Sequence, residues 1–109
     1  MANYVMLFKG GDPPTSEEEG TQVMQAWGVW LAGLGQAAVD SGSPFGASRS
    51  IAPGGAITDG STADLLGYTI VTADTLDAAT ALAKDCPHLT SFGSATAGTV
   101  EIYEAVPVM

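Results

Sequence analysis

The segment from Gly67 to Pro87, GYTIVTADTLDAATALAKDCP, constrains the fold most because its hydrophobic period changes once along its length. Residues 68–72 are all β-branched or aromatic, and such residues favour a strand. Successive side chains of a strand point to opposite faces. We therefore predict a strand with Tyr68 and Ile70 on one face and Thr69 on the other.

The second part of this segment is predicted to be a short amphipathic helix. Asp74 or Thr75 can cap it, because a short side-chain oxygen accepts from the unpaired N–H groups of a first turn. Pro87 ends it. Its apolar residues recur at three- and four-residue spacing and form one stripe: Leu76, Ala79, Leu82, Ala83 and Cys86.

Two further strands are predicted near the ends of the chain. The first is predicted from Ala2 to Lys9, and its residues 4–8, YVMLF, are apolar without alternation, which indicates burial on both faces of a sheet. The last strand is predicted from Val100 to Val106. Its alternation places Ile102 inward together with Val100, and Glu101 outward.

A long helix is predicted between these strands, from Ser16 to about Val39. Ser16 and Glu19 have the spacing of a capping box, and aromatic and aliphatic residues follow at helical intervals. We place both tryptophans of the chain, Trp27 and Trp30, on its apolar face.

The segment after this helix is predicted to contain a turn and a small hairpin. The turn covers residues 40–43, and a weak strand follows from Pro44 to Ile51. Gly54-Gly55 is the expected hairpin tip, and Ala56 to Thr58 the return strand.

The element order predicts a single α+β domain over residues 1–109, a ferredoxin-like split βαβ sandwich. Two helices would cover one face of the sheet. The first strand is apolar on both sides, so its second face needs a cover. We expect a homodimer with two-fold symmetry, sheet against sheet, to supply it.

The charge of the chain excludes several classes of partner. The formal net charge is −9, from 3 Lys+Arg against 12 Asp+Glu. Proteins that bind nucleic acid need cations to displace counterions from phosphate, and anionic lipid surfaces attract cations too. We therefore expect no nucleic acid and no membrane as partners. Without a signal-peptide pattern or a run of about 20 apolar residues, we expect a cytoplasmic location.

Seven segments, taken in order, resemble one known family. They are YVMLFKGG at the start, the helix with Trp27 and Trp30, GSPFGAS (42–48), TDG (58–60), GYTIV (67–71), LDAATALAKDCPHL (76–89) and GTVEIYE (98–104). From Tyr4 to about Pro107, the chain is similar to YCII-related, or DGPF-domain, proteins of the dimeric α+β barrel superfamily.

The resemblance implies a ferredoxin-like protomer, a homodimer whose sheets form a barrel, and a cleft in each protomer. Members related to YciI have been discussed as enzymes with a His–Asp pair, and some DGPF members are associated with alternative sigma factors. The superfamily also contains monooxygenases and haem-degrading enzymes. This chain departs from the pattern, because Ser61-Thr62 replaces Pro-Phe after Asp59-Gly60 and its first half lacks a histidine. The family's His–Asp site therefore does not carry over as such.

Two residues are candidates for catalysis. His88 is the only histidine, and histidine is the side chain whose unperturbed pKa lies nearest 7. It is predicted either to transfer protons and contact a ligand or simply to pack at the end of a helix. Asp59 is the second candidate through the TDG match, although aspartate before glycine is also an ordinary turn residue.

Three aromatic residues join His88 as candidate ligand contacts: Trp27, Trp30 and Tyr68. Aromatic residues on an apolar helix face are also typical of a core. One cysteine and one histidine are too few for a structural zinc site within one chain, and we expect no metal and no cofactor.

The sequence leaves three functions open. The first is a small-molecule-binding protein or cofactor-independent enzyme with a cleft between helices and sheet. The second is a non-catalytic binding or regulatory module. The third, by superfamily analogy alone, is a monooxygenase-like enzyme.

Overall fold

A computed structural model of the chain describes residues 1–61 and 63–108. Its main sheet has four antiparallel strands: β1 (Ala2–Lys9), β2 (Ala38–Pro44), β5 (Leu65–Ala73) and β6 (Thr99–Ala105). The helices are α1 (Glu17–Leu34) and α2 (Leu76–Ala83), and a separate two-stranded sheet pairs β3 (Arg49–Ile51) with β4 (Ile57–Asp59). The strand order β2-β5-β1-β6 and the α+β architecture are compatible with a ferredoxin-like plan.

Strand alternation decides which side chains enter the core. Tyr4, Met6 and Phe8 of β1 are buried in one cluster with residues of both helices, whereas Val5 and Leu7 are only half-buried. The other core members are Trp30, Leu34, Val71, Ala73, Ala79, Ala83 and Cys86. The opposite side of the sheet, here called the back face, carries the apolar and aromatic residues Val5, Leu7, Tyr68, Ile70 and Tyr103. It also carries Asp40 and the ion pair of Lys9 with Glu101.

The strand and the helix predicted for the segment 67–87 are confirmed. Two details were wrong: Leu76 of the predicted apolar stripe is 52% exposed, and α2 ends at Ala83, before Cys86 and Pro87. Thr69 is buried on the helix side, and Tyr68 and Ile70 lie on the back face. The cap of α2 is Thr75, whose side chain accepts from the Ala78 N–H at 3.0 Å. This agreement follows from signals that are local in the sequence.

The predicted end of the long helix near Val39 was wrong. The helix α1 ends at Leu34, and Gly35 caps it with a φ of 55° while its N–H bonds to the Ala32 carbonyl. A short 3₁₀ helix, Gly35–Ala37, then leads directly into β2. Pairing with β5 satisfies the backbone groups of this segment, so tertiary structure overrides helix propensity here.

The turn predicted at residues 40–43 was also wrong, because these residues belong to β2. Gly42 has a φ of 82° and donates its N–H to Asp40 Oδ1 at 2.8 Å. The pairing with β5 shifts register between Asp40 and Ser43. A side chain at Gly42 would overlap the Tyr68 carbonyl. The turn-forming residues therefore make a β-bulge in an edge strand.

The predicted hairpin is confirmed, with Gly54 and Gly55 at its tip and a positive φ at both. Its first strand starts at Arg49 rather than Pro44. We call residues 45–60 the arm, because every residue from 45 to 59 is exposed. The chain departs from the DGPF pattern at Ser61 and Thr62, and Thr62 lies outside the described residues.

Glu19 ties the loop of residues 90–98 to the start of α1. The Ser16 hydroxyl caps the helix by accepting from the Glu19 N–H at 3.2 Å, as the capping box predicts. The Glu19 carboxylate, however, accepts from the Ser94 N–H at 2.6 Å and from its hydroxyl at 2.9 Å. The Ser94 backbone bond is the main reason why the pKa of Glu19 is lowered.

We expect Glu19→Gln to reduce the pH dependence of stability. A carboxyl whose pKa is lowered on folding stabilises the protein above its unfolded pKa, and this stabilisation is lost as pH falls through the folded pKa. The melting temperature of the wild type should therefore fall more steeply below about pH 5 than that of the variant. Thermal unfolding followed by circular dichroism measures this. Glu18→Gln is the matched control, and coinciding Glu19→Gln and wild-type profiles would exclude this role.

Candidate functional site

A cavity of about 330 Å³ lies between α1 and the sheet, beside the edge strand β2. Small-molecule sites begin at roughly 300 Å³. The described residues that line it are Phe8, Met24, Trp27, Leu31, Ser41, Gly42, Ser43, Pro44, Leu66, Gly67, Tyr68, Thr69 and His88. None of these is Asp, Glu, Lys or Arg, so the lining is apolar with a few neutral polar groups.

One wall of the cavity is aromatic. The rings of Trp27 and Phe8 meet edge to face, with centroids 4.9 Å apart. Trp30 stands behind Trp27, with ring centroids 5.5 Å apart and again edge to face. Such contacts orient the rings and stabilise the arrangement beyond the area that they bury.

His88 is fixed by the end of β1. It lies in a 3₁₀ helix, Pro87–Leu89, that follows α2, and its Nε2 is 2.9 Å from the Lys9 carbonyl oxygen. A carbonyl oxygen can only accept, so Nε2 carries the hydrogen and Nδ1 is the acceptor of the neutral ring. The ring also packs against Phe8, with centroids 5.8 Å apart.

Gly98 closes the space behind the imidazole. Its N–H donates to the His88 carbonyl at 2.8 Å. A Cβ added at Gly98 would overlap His88 Nε2 and the Lys9 carbonyl and would lie 2.7 Å from the Gly10 carbonyl. Close backbone packing on both sides therefore holds the histidine in one position.

The structure brings three of the five predicted site residues to this cavity: Trp27, Tyr68 and His88. Tyr68, however, points its side chain to the back face, where its hydroxyl donates to Asp40 Oδ2 at 2.9 Å. This hydrogen bond, with the charge of Asp40, raises the pKa of Tyr68. Its hydroxyl therefore acts as a donor to Asp40 and not to a ligand.

The other two predicted site residues lie elsewhere. Trp30 is 7% exposed and donates its Nε1–H to the Leu82 carbonyl at 3.0 Å, so it belongs to the core between the helices. Asp59 lies on the arm, where its carboxylate pairs with Arg49 at 3.1 Å and its side chain is 91% exposed. It is not among the lining residues, and the structure does not join it to His88.

The sequence did not lead us to predict the lining residues that come from β2, or those of α1 other than Trp27. Ser41, Gly42 and Ser43 were read as a turn, and their bulge forms one side of the cavity. Met24 and Leu31 lie one turn before and after Trp27, and this helical spacing was the signal that would have found them.

Cys86 is buried beside this site, and burial raises the pKa of its thiol to about 11. The thiolate is the reactive form, so we expect the native protein to react with an aromatic disulfide reagent near pH 8 roughly a hundredfold more slowly than the unfolded chain. Absorbance of the released thiolate measures both rates. Equal rates would contradict the burial of this thiol.

Within residues 1–61 and 63–108, the structure has neither a metal-binding cluster nor a membrane-spanning helix. No group of three or more His, Cys, Asp and Glu side chains is arranged to hold a metal ion. No helix in this part of the chain has the length and apolar character needed to cross a membrane.

Comparisons with known proteins gave no relative. A scan of protein-family models, a search of curated proteins and a search of solved structures each returned no significant match. The functional conclusion therefore rests on the residues of this chain alone.

Proposed function

We propose that this protein binds a small, uncharged and largely apolar ligand in the cavity beside Trp27 and His88. The observation that carries the proposal is an aromatic-walled cavity of about 330 Å³ that contains one firmly held imidazole. Apolar surface supplies affinity in such sites, and a few fixed polar groups supply orientation.

The charge of the ligand follows from the lining. An ionised group buried without a partner is strongly disfavoured, and the described lining offers no counter-charge. The net charge of −9 additionally repels anions from the whole molecule. A neutral ligand satisfies both conditions.

His88 is the proposed polar anchor. Its Nε2–H is held by the Lys9 carbonyl, so Nδ1 is the nitrogen that accepts from a hydroxyl or N–H group of the ligand. In the catalytic version of this proposal, a cofactor-independent enzyme, the same nitrogen acts as a general base toward that group. Asp59 has no part in either version because it lies on the arm.

We further propose that the working form is a homodimer of the YCII-related type, with two back faces packed into an α+β barrel. The accessible surface is 7189 Å², against about 5,600 Å² expected for a compact monomer of this mass. The radius of gyration of 15.4 Å likewise exceeds the roughly 13 Å expected for this length. The back face, with its apolar patch of Val5, Leu7 and Ile70, is the surface that a second copy would cover.

The cavity also favours the ligand-binding function over the regulatory module considered above. A purely regulatory module needs no internal space, whereas this cavity is not filled by its own side chains. The monooxygenase-like alternative rests on superfamily analogy alone, and no feature of the described cavity favours it.

A pair of matched probes tests the proposed anchor. In ligand-observed NMR titrations, 2-naphthol should bind the wild type about five- to tenfold more tightly than naphthalene, since only 2-naphthol has a hydroxyl for Nδ1. His88→Phe keeps an aromatic ring at this position but has no acceptor atom, so this ratio should fall to about one.

Two results would reject the proposal. One is the absence of saturable binding of either probe. The other is a ratio that His88→Phe leaves unchanged.

A further inference from the structure

Within the described chain, the arm strands β3 and β4 contact mainly each other. The arm carries the pair Ile51 and Ile57, which lie directly opposite each other in the β3–β4 ladder and are 72% and 64% exposed. We propose that each arm packs on a second copy of this chain and buries these two isoleucines in the interface. The inference rests on the homodimer proposed above.

The exposure of the isoleucines makes an isolated arm unfavourable. A two-stranded hairpin alone in water is marginally stable at best. Residues directly opposite in an antiparallel pair share a face, so Ile51 and Ile57 form one apolar patch. Arg49 and Asp59 share that face and neutralise each other at 3.1 Å. The patch is therefore suited to an uncharged apolar surface.

The root of the arm is continuous with the back face. Phe45 stacks on Tyr68, with ring centroids 5.8 Å apart and planes 19° apart, and its N–H donates to the Leu66 carbonyl at 2.7 Å. In a two-fold dimer, the same surface of each copy meets the other. A pairing that buries the back face around Tyr68 therefore brings each arm alongside the partner.

The dimensions allow this contact. From Phe45 to the tip at Gly54, the chain can extend about 30 Å, whereas a four-stranded sheet is roughly 15–20 Å wide. The molecule measures 46 Å in its longest direction and only 17 Å in its thinnest. An arm of this reach can cross the edge of one sheet and contact the partner's sheet.

The excess accessible surface is about as large as the area that two copies would bury in a stable dimer. The surface exceeds that of a compact monomer by roughly 1,600 Å², and a stable complex buries about 800 Å² on each partner. Nucleic acid and anionic membranes are unsuitable partners for a chain of net charge −9. An isologous dimer that uses both the arm and the back face supplies the missing cover.

The test compares two double variants that alter opposite faces of the arm. Ile51→Ser with Ile57→Ser removes the apolar patch, and Ser50→Ala with Thr58→Ala changes the other face. Sedimentation equilibrium gives the dimer dissociation constant of each. The isoleucine variant should raise this constant at least a hundredfold, because four buried side chains leave the dimer interface. The serine–threonine control should change it less than fivefold.

Circular dichroism should show folded protomers in both variants, since residues 45–59 lie outside the core. A monomeric wild type would overturn both the dimer and the arm contact, while the 2-naphthol test of the cavity stands separately. A dimeric wild type with an unchanged constant in the isoleucine variant would overturn the arm contact alone. Equal weakening by both double variants would also overturn it.

Discussion

Gly98→Ala is expected to lower the free energy of unfolding by about 2–4 kcal/mol. The new methyl group would overlap the imidazole Nε2 of His88 and the backbone carbonyl of Lys9, two atoms that are hydrogen-bonded to each other. Relief of the overlap must separate the imidazole from β1 and break its hydrogen bond. Urea denaturation followed by circular dichroism measures the change.

Gly28→Ala is the matched control for this substitution. No heavy atom lies within 4 Å of a Cβ built at Gly28, and the position is inside α1. Alanine favours a helix over glycine by about 1 kcal/mol, so this variant should be more stable than the wild type. A Gly98→Ala protein as stable as the wild type would show that the backbone does not confine His88.

Trp30→Ala is expected to lower the free energy of unfolding by about 3–5 kcal/mol. The side chain is buried in the core cluster, and its removal leaves a cavity and an unpaired carbonyl at Leu82. Trp30→Phe keeps most of the packing and should cost less, on the order of 1–3 kcal/mol. Chemical denaturation of the two variants separates packing from the hydrogen bond.

The same experiment distinguishes the two tryptophans. Trp27 is only partly buried and lines the cavity, so Trp27→Ala should weaken 2-naphthol binding more than any Trp30 substitution that still folds. If Trp30→Phe abolished probe binding and left stability unchanged, Trp30 would be a ligand residue and not a core residue.

Local signals explain which parts of the fold were predictable. The strand and helix between Gly67 and Pro87 follow from alternation, from helical spacing and from a cap at Thr75. The end of α1 and the strand β2 depend instead on pairing with β5, which is distant in sequence. Asp40 and Gly42 have turn chemistry in either setting, so composition alone does not separate a turn from a bulge.

The site was predictable in residue type but not in arrangement. Trp27 and His88 are separated by most of the chain, and only the packing of the 3₁₀ helix at 87–89 against the end of β1 brings them to one cavity. Trp30 differs from Trp27 by less than one helical turn, yet it faces Leu82. Asp59 had a plausible motif, but the arm carries it to a surface where its partner is Arg49.

The central claim is that the cavity beside Trp27 and His88 is a ligand site. The chain has 2 tryptophans, so a nitrogen–proton NMR spectrum has two indole signals, and Trp30→Phe identifies them. Titration with 2-naphthol should shift the Trp27 indole signal in a saturable way and move that of Trp30, bonded to Leu82, much less. Spectra in which neither signal moves, or in which Trp30 moves most, would contradict the claim.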